Sequence, residues 1–243
     1  MVRFWAIADT HLSFGKVRDM TRFGERWRNH TERLAAAWQA HITPENVVLL
    51  LGDISWAYSG KQALLDLTWL QQLNGTKVLL RGNHDYWWDD VRKARQLAEP
   101  LGFRLIEGDA LRLHSVVVCG AMGHVAPNDP FYAPDPRKDR FARELARLES
   151  ALQCGQALRQ AGEPLLLLMH YPPFTSDGQP TAYGELIARY QPTMCLYGHL
   201  HHAKEWLLAR QGLHEGVHYH LVAADFLEMT PRLVWQAPAT RSK

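Results

Sequence analysis

Short apolar runs, each closed by a polar or turn residue, alternate along this chain with stretches in which apolar residues return every three or four positions. The runs at 2–8, 47–51, 77–80, 116–119, 165–169 and 193–197 are continuous in apolar character and too short for core helices. They predict strands covered on both faces. The segments 204–208, 217–223 and 232–236 read as further strands. Between them, Trp27, Thr31, Leu34 and Trp38 recur at helical spacing, as do Leu64, Leu67 and Leu70, and later Phe141, Leu145, Leu148 and Leu152. Those stripes predict helices that bury one face. Asp135-Pro136 is the expected start of the last one, a capping carboxylate followed by a proline suited to a first turn. Its Arg140/Glu144 and Glu144/Arg147 pairs are assigned to a solvated face, where each contributes only about 0.2–0.5 kcal/mol. Strands joined through helices make a layered α/β fold. No internal repeat or low-complexity tract argues for dividing the chain, so residues 1–243 are expected to form one domain. Pro127, Pro130, Pro134 and Pro136, with Phe131 and Tyr132 among them, forbid regular structure over 121–138 and leave a stiff loop with an aromatic tip. A plain connection is preferred there over a loop that covers a substrate.

Composition removes several function classes. With 27 basic and 25 acidic residues, the formal charge of +2 provides no global field to draw nucleic acid or an anionic membrane. Nucleic acid stays a conceivable partner without positive support: Arg18, Arg22, Arg26 and Arg28 suit a backbone groove and a solvated face equally well. No stretch approaches the ~20 apolar residues that span a bilayer, and 2–8 is too short for the core of a signal peptide, so no membrane partner is expected. Three cysteines, Cys119, Cys154 and Cys195, suit reduced buried thiols better than a disulfide framework and favour a cytoplasmic location. The oligomeric state is not legible. Thirteen histidines is a high count; His30, His41, His114, His124 and His214 have no partner pattern and are assigned no role.

The remaining histidines fall into a pattern. Five blocks lie in order: Asp9-Thr-His11, Gly52-Asp53, Gly82-Asn83-His84-Asp85, Met169-His170 and Gly198-His199-Leu-His201. Each follows an apolar run directly or within a few residues. Strand ends on one side of an α/β sheet form its ligand crevice, so these side chains can converge although they are far apart in sequence. Imidazole nitrogen mixed with carboxylate and amide oxygen suits a pair of Mn or Fe ions, with Zn or Ni as alternatives, and the lack of cysteine argues against a thiolate zinc site. Asp53 is the best bridging candidate, since two oxygens and a negative charge offset the repulsion of two cations. A two-metal centre of this kind serves hydrolysis of anionic esters.

The ordered set of blocks resembles the calcineurin-like metallophosphoesterase superfamily, and the flanking residues Leu12-Ser-Phe-Gly15, Gly52-Asp-Ile-Ser-Trp56 and Leu80-Arg-Gly-Asn-His-Asp-Tyr-Trp-Trp88 look most like a bacterial branch of predicted phosphohydrolases. The resemblance implies a β-sandwich flanked by helices, the four-layer αββα arrangement. It implies one metal held by Asp9, His11, Asp53 and His201 and a second by Asp53, Asn83, His170 and His199. A bridging hydroxide would then attack phosphorus, with His84 protonating the leaving oxygen or steadying the transition state. Many relatives carry an Asp soon after the Gly-Asp block to orient this histidine. Here those positions read Ile54-Ser55-Trp56, and the role falls to Asp85 or is absent.

Other candidates are weaker. His218-x-His220 fits a partly exposed strand face, and His202 is aimed away from the site by strand alternation. Tyr86, Trp87 and Trp88 suit either a platform for a base, sugar or aromatic ester or core packing, with Asp89 capping the next helix. Arg81 suits phosphate or a structural ion pair. The expected function is hydrolysis of a small-molecule phosphate ester, monoester or diester. A protein phosphatase and a metal-containing scaffold without turnover are the alternatives.

Overall fold

The computed structural model describes residues 1–134 and 139–237. In chain order they form β1 (Arg3–Ile7), α1 (His30–His41), β2 (Val47–Leu51), α2 (Gly60–Gln71), β3 (Thr76–Leu80), α3 (Val91–Ala98), β4 (Arg104–Ile106), β5 (Asp109–Leu113) and β6 (Val116–Ala121). There follow α4 (Arg140–Leu158), β7 (Leu165–Met169), α5 (Ala182–Tyr190), β8 (Met194–Tyr197), α6 (Ala203–Leu208), β9 (Gly212–His214), β10 (Val217–Leu221) and β11 (Arg232–Gln236). The fold is mixed α/β with two sheets flanked by helices. The chain forms two compact units, one from 1–105 with the segment from 222 onward, the other from 106–221.

The first unit carries a five-stranded sheet in the order β11-β1-β2-β3-β4. β1, β2 and β3 run parallel, with Phe4 opposite Val47 and Val47 opposite Thr76, while β11 joins β1 antiparallel. One sheet face presents Trp5, Ile7, Val48, Leu50 and Leu79 to Leu34 and Trp38 of α1, Leu67 and Leu70 of α2, and Ala94 and Ala98 of α3, a single buried cluster. Trp38 satisfies its indole N–H on Asn74 O at 2.9 Å, so its whole ring can be buried. The expected α2 stripe shifts by one position. Leu64 is exposed, and Ala63, Asp66, Leu67 and Leu70 face inward. Asp66 is tolerated there because its carboxylate accepts from Ser55 Oγ and from the N–H groups of Phe14 and Gly15. The cap of α3 is Asp90, which accepts from Arg92 and Lys93 N–H, and not the expected Asp89.

The second unit carries a six-stranded sheet in the order β5-β6-β7-β8-β10-β9. β6, β7, β8 and β10 are parallel neighbours, and β5 and β9 close the edges antiparallel. The strands missed by apolar runs, β4, β5 and β9, are all edges, where one flank faces water and polar residues interrupt the run. The segment 204–208 is helical, not a strand. Glu205 accepts from His201 and His202 N–H at 3.0 and 2.8 Å, and this cap overrides the weak strand pattern. The expected start of α4 at Asp135-Pro136 lies outside the described residues; Asp139 caps the described helix, accepting from Ala142 N–H at 2.8 Å. Glu144 is fully buried and does not sit on a solvated face. Arg147 pairs with it at 2.7 Å and with Glu107 at 3.0 Å, which supplies the counter-charge that its burial requires. Cys119 and Cys195 are buried free thiols, whereas Cys154 is exposed.

Lys77 sits almost fully buried in β3, its ammonium donating to the Gln71 and Leu73 carbonyls, and desolvation lowers its pKa to about 8. The folded chain therefore binds this proton less tightly than the unfolded chain does. Its charging penalty is fully present below pH ~8 and is relieved as pH rises toward the ordinary lysine value of 10.5. Lys77→Met should remove that relief: urea midpoints compared across pH 7–10.5 should show wild type gaining on the variant as pH rises, and a constant difference would refute the assignment.

Candidate metal centre

Four of the seven expected ligands, Asp9, His11, Asp53 and Asn83, belong to the first unit, and three, His170, His199 and His201, to the second. In the first, β1, β2 and β3 are parallel, so the chain leaves all three at the same end of the sheet. Asp9 and His11, Asp53, and Asn83 follow them there. The loops knit together through Asp9 N–H on Gly52 O and His11 N–H on Asp53 O, both at 2.9 Å. Asp9 presents a carboxylate oxygen within 4.8 Å of a ring nitrogen of His11 and of a carboxylate oxygen of Asp53. Asp53 Oδ2 lies 3.8 Å from His11 Nε2, while Oδ1 accepts from His84 N–H at 2.7 Å. Two carboxylates this close and this buried, 0% and 1% exposed, repel each other unless a cation lies with them. The donor set fits a metal.

The backbone is bent to achieve this. Asp9, His11, Asp53 and His199 hold φ of 58°, 45°, 49° and 72°, the left-handed region that L-residues seldom enter. Each such residue costs on the order of 1–3 kcal/mol and persists where surrounding structure imposes it, commonly at functional sites.

His84 is half-buried beside this cluster, and its Nδ1 lies 3.1 Å from the Tyr86 hydroxyl. Asp85, the expected orienting carboxylate, is committed elsewhere. Its Oδ1 accepts from Ile54 N–H, Ser55 N–H and Trp87 Nε1 at 3.0, 3.0 and 3.1 Å, and its Oδ2 from Gly82 N–H at 2.8 Å. Burial and the nearby Asp53 charge raise its pKa while those donors hold it down. Trp56 packs against both imidazoles. Its ring stacks on His11 at 4.7 Å and 18° and packs against His84 at 4.4 Å, fixing both imidazoles by contact.

In the second unit, β7 and β8 are parallel neighbours, and His170 and His199 follow them at one end, tied by Gly198 N–H on His170 O at 3.1 Å. His199 Nδ1 stands 3.3 Å from His170 Nε2, with Tyr171 packed 4.1 Å from the His199 ring. Two facing imidazole nitrogens suit a shared cation. His201 lies two residues further on, its backbone held by Glu205. A cleft of about 220 Å³ beside His199 is lined by His124, Asp129, Phe131, Tyr171 and Glu205. The aromatic tip of the proline-rich segment thus borders this cleft, though 135–138 lie outside the described residues.

A family model for calcineurin-like phosphoesterases matches residues 2–203. The chain belongs to that family. The chain is 31% identical over 85 residues to the Gene 66 protein of Mycobacterium phage L5 and 38% over 88 residues to that of phage D29. Each alignment covers 35% of the chain and 41% of the relative, so the match spans about two fifths of the curated relatives' length. Among solved structures, phosphopantetheinyl hydrolase (PptH) from Mycobacterium tuberculosis is similar over 100% of this chain and 99% of its own, at a TM-score of 0.59 and 14% identity. TT1561 of Thermus thermophilus is similar over 82% of both chains, at 0.55 and 14%. These two likenesses concern the fold.

Several residues of this calcineurin-like site escaped the reading of sequence. Trp56 stood where an acid was sought, and an aromatic that works by stacking has no ligand-type signature. Tyr86 is exposed, whereas Trp87 and Trp88 are core, so Tyr86 carries the open ring face of that trio. His30, to which no role was assigned, is buried with its Nε2 3.4 Å from His11 O. Of the arginines considered for a groove, Arg28 pairs with Glu25 at 2.8 Å, Arg26 lies 3.8 Å from Glu228, and Arg18 lies over Trp56 at 3.8 Å. Among the described residues no helix is long and apolar enough to cross a membrane.

Gly82 has no room for a side chain, since a Cβ there would strike Asp53 N and Oδ1. Gly82→Ala should therefore cost about 1–3 kcal/mol in urea unfolding and lower bound metal measured by mass spectrometry; unchanged metal content and stability would show that the loops yield.

Proposed function

We propose that this chain is a dinuclear metal-dependent hydrolase of small-molecule phosphate esters, with Asp9, His11, Asp53, Asn83, His170, His199 and His201 as ligands and Mn or Fe as the resident ions. The observation that carries the reading is the buried Asp9–Asp53 pair at the ends of parallel strands, a concentration of negative charge that a cation must balance. When bound, the two ions supply Lewis acidity and an activated nucleophile.

The chain's own residues do the rest. Asp53 divides its oxygens, one toward His11 and the other accepting from His84 N–H, so the residue best suited to bridge also seats the loop that carries the acid. The Tyr86 hydroxyl lies 3.1 Å from His84 Nδ1, so an imidazolium at His84 has an acceptor for Nδ1–H and can donate from Nε2. In the hydrolysis, a water oxygen joins phosphorus, the bond to the leaving group breaks with its electron pair on the leaving oxygen, and His84 delivers a proton there. The second proton of the water returns the histidine to its starting state. Trp56 keeps the His84 ring from turning away, which lowers the entropic cost of reaching that geometry. Reduced cysteines and the lack of a spanning helix among the described residues support a cytoplasmic site of action.

Purified protein supplied with Mn should hydrolyse bis-p-nitrophenyl phosphate or p-nitrophenyl phosphate. Asn83→Ala should lower that rate at least about a hundredfold, the scale expected on loss of transition-state stabilisation. Asp53→Asn should reduce metal stoichiometry at both sites, read by elemental analysis. Metal bound at both sites with no turnover of either ester would overturn the hydrolase reading.

A further inference from the structure

The first unit carries a cleft of about 570 Å³ that Tyr86 joins to His84, its hydroxyl 3.1 Å from His84 Nδ1. Tyr58 and Tyr86 stack there with centroids 5.2 Å apart and planes at 19°, yet they remain 57% and 42% exposed. Lys61 and Lys93 line the same cleft, and the Lys16 ammonium lies 5.5 Å over the Tyr58 ring. Against these three cations the cleft wall carries one acid, Asp89, because the neighbouring Asp90 is turned to cap α3. Trp87 also lines it, its indole N–H donating to Asp85.

We propose that this cleft is the leaving-group subsite of the hydrolase, and that it takes a planar aromatic ring bearing an anionic substituent, of which a nucleoside monophosphate is the type. The proposal rests on the phosphoesterase reading above. Three observations fix its terms. Size comes first: about 570 Å³ lies in the range of small-molecule sites and far exceeds what a phosphate group fills. Chemistry comes second. Two half-exposed tyrosine faces offer a stacking surface that every base can use, and Lys61 and Lys93, which form no ion pair among the described residues, offer the charge for an anion. Position comes third. None of the seven proposed metal ligands lines the cleft, so the reacting phosphoryl group does not belong there. Tyr86 lines it and reaches His84 Nδ1 at 3.1 Å, so the cleft adjoins the group assigned to protonate the leaving oxygen. A ring held against Tyr86 is therefore on the leaving side of the breaking bond.

The test uses the full chain carrying Asn83→Ala, which slows turnover and keeps ligands intact, titrated calorimetrically with AMP, adenosine and inorganic phosphate. AMP should bind about tenfold or more tightly than either of the others, since stacking on the tyrosine faces adds to the charge contact. Tyr58→Ala should erase the advantage over phosphate, and the Lys61→Gln/Lys93→Gln double variant the advantage over adenosine. Both changes are at exposed positions, so unfolding midpoints should stay at the parent value. Equal affinity for AMP and phosphate, or parental AMP affinity in both variants, overturns the subsite even if the wild type hydrolyses p-nitrophenyl esters. Selective AMP binding with no ester hydrolysis by the wild type overturns the leaving-group role instead, which separates the failure of this inference from the failure of the reading beneath it.

Discussion

Two loops at the end of the first sheet hold each other by exchanging carboxylates. Asp53, after β2, reaches into the loop after β3 and takes His84 N–H; Asp85, in that second loop, reaches back and takes the N–H groups of Ile54 and Ser55. Hydrogen bonds to an ionised acceptor contribute about 1.5–3 kcal/mol each, and here they are screened from water. The exchange sets the spacing between Asp53 and the Asn83-His84 pair before any metal arrives. It also explains why Asp85 cannot serve His84: a carboxylate with four N–H donors around it has been consumed by architecture. Gly82 belongs to the same clasp, being the point where one loop passes against the other too closely for a side chain.

Much of this arrangement was legible in the order of residues, and the limits are physical. Central parallel strands are buried on both faces, so Val47–Leu51 and Leu165–Met169 announce themselves as unbroken apolar runs. Edge strands such as Asp109–Leu113 do not, because one flank is wet and their polar residues break the run. Side chains suited to metal ligation carry their chemistry in their type, so the blocks around Asp9, Asp53, Asn83, His170 and His199 stand out as candidates in the sequence alone. Side chains that act by packing carry no such mark. Trp56 is recognisable as part of the site only when its ring is seen against His11 and His84. Glu144 misled for the reverse reason: charge at helical spacing suggested solvent, and only the three-dimensional placement of Arg147 and Glu107 revealed a buried ion cluster.

The strained backbone and the aromatic wedge are two answers to one problem. A candidate metal centre needs several polar side chains to converge where little water is left to solvate them, and residues two apart in a strand, such as Asp9 and His11 would be, share a face but stand off the sheet and do not lean across its end. Left-handed turns at both residues redirect them, and Asp and His accept that conformation at lower cost than branched residues. Stacking on Trp56 then removes the rotational freedom that the bent backbone leaves to the rings. The geometry is held by sterics, which do not compete with the metal for lone pairs.

The antiparallel seam between β1 and β11 has a bearing on how the molecule comes into being. Arg3 pairs with Gln236, so one edge of the sheet that presents Asp9, Asp53 and Asn83 is supplied by a segment synthesised more than two hundred residues later. During translation, β1, β2 and β3 emerge early but lack that neighbour until the whole of the second unit has left the ribosome. Pairing over so long a loop is slow, and until it forms, the outer flank of β1 is an open sheet edge in need of protection. The candidate ligands of the first unit thus lie on strands whose sheet edge is closed only by a segment far downstream.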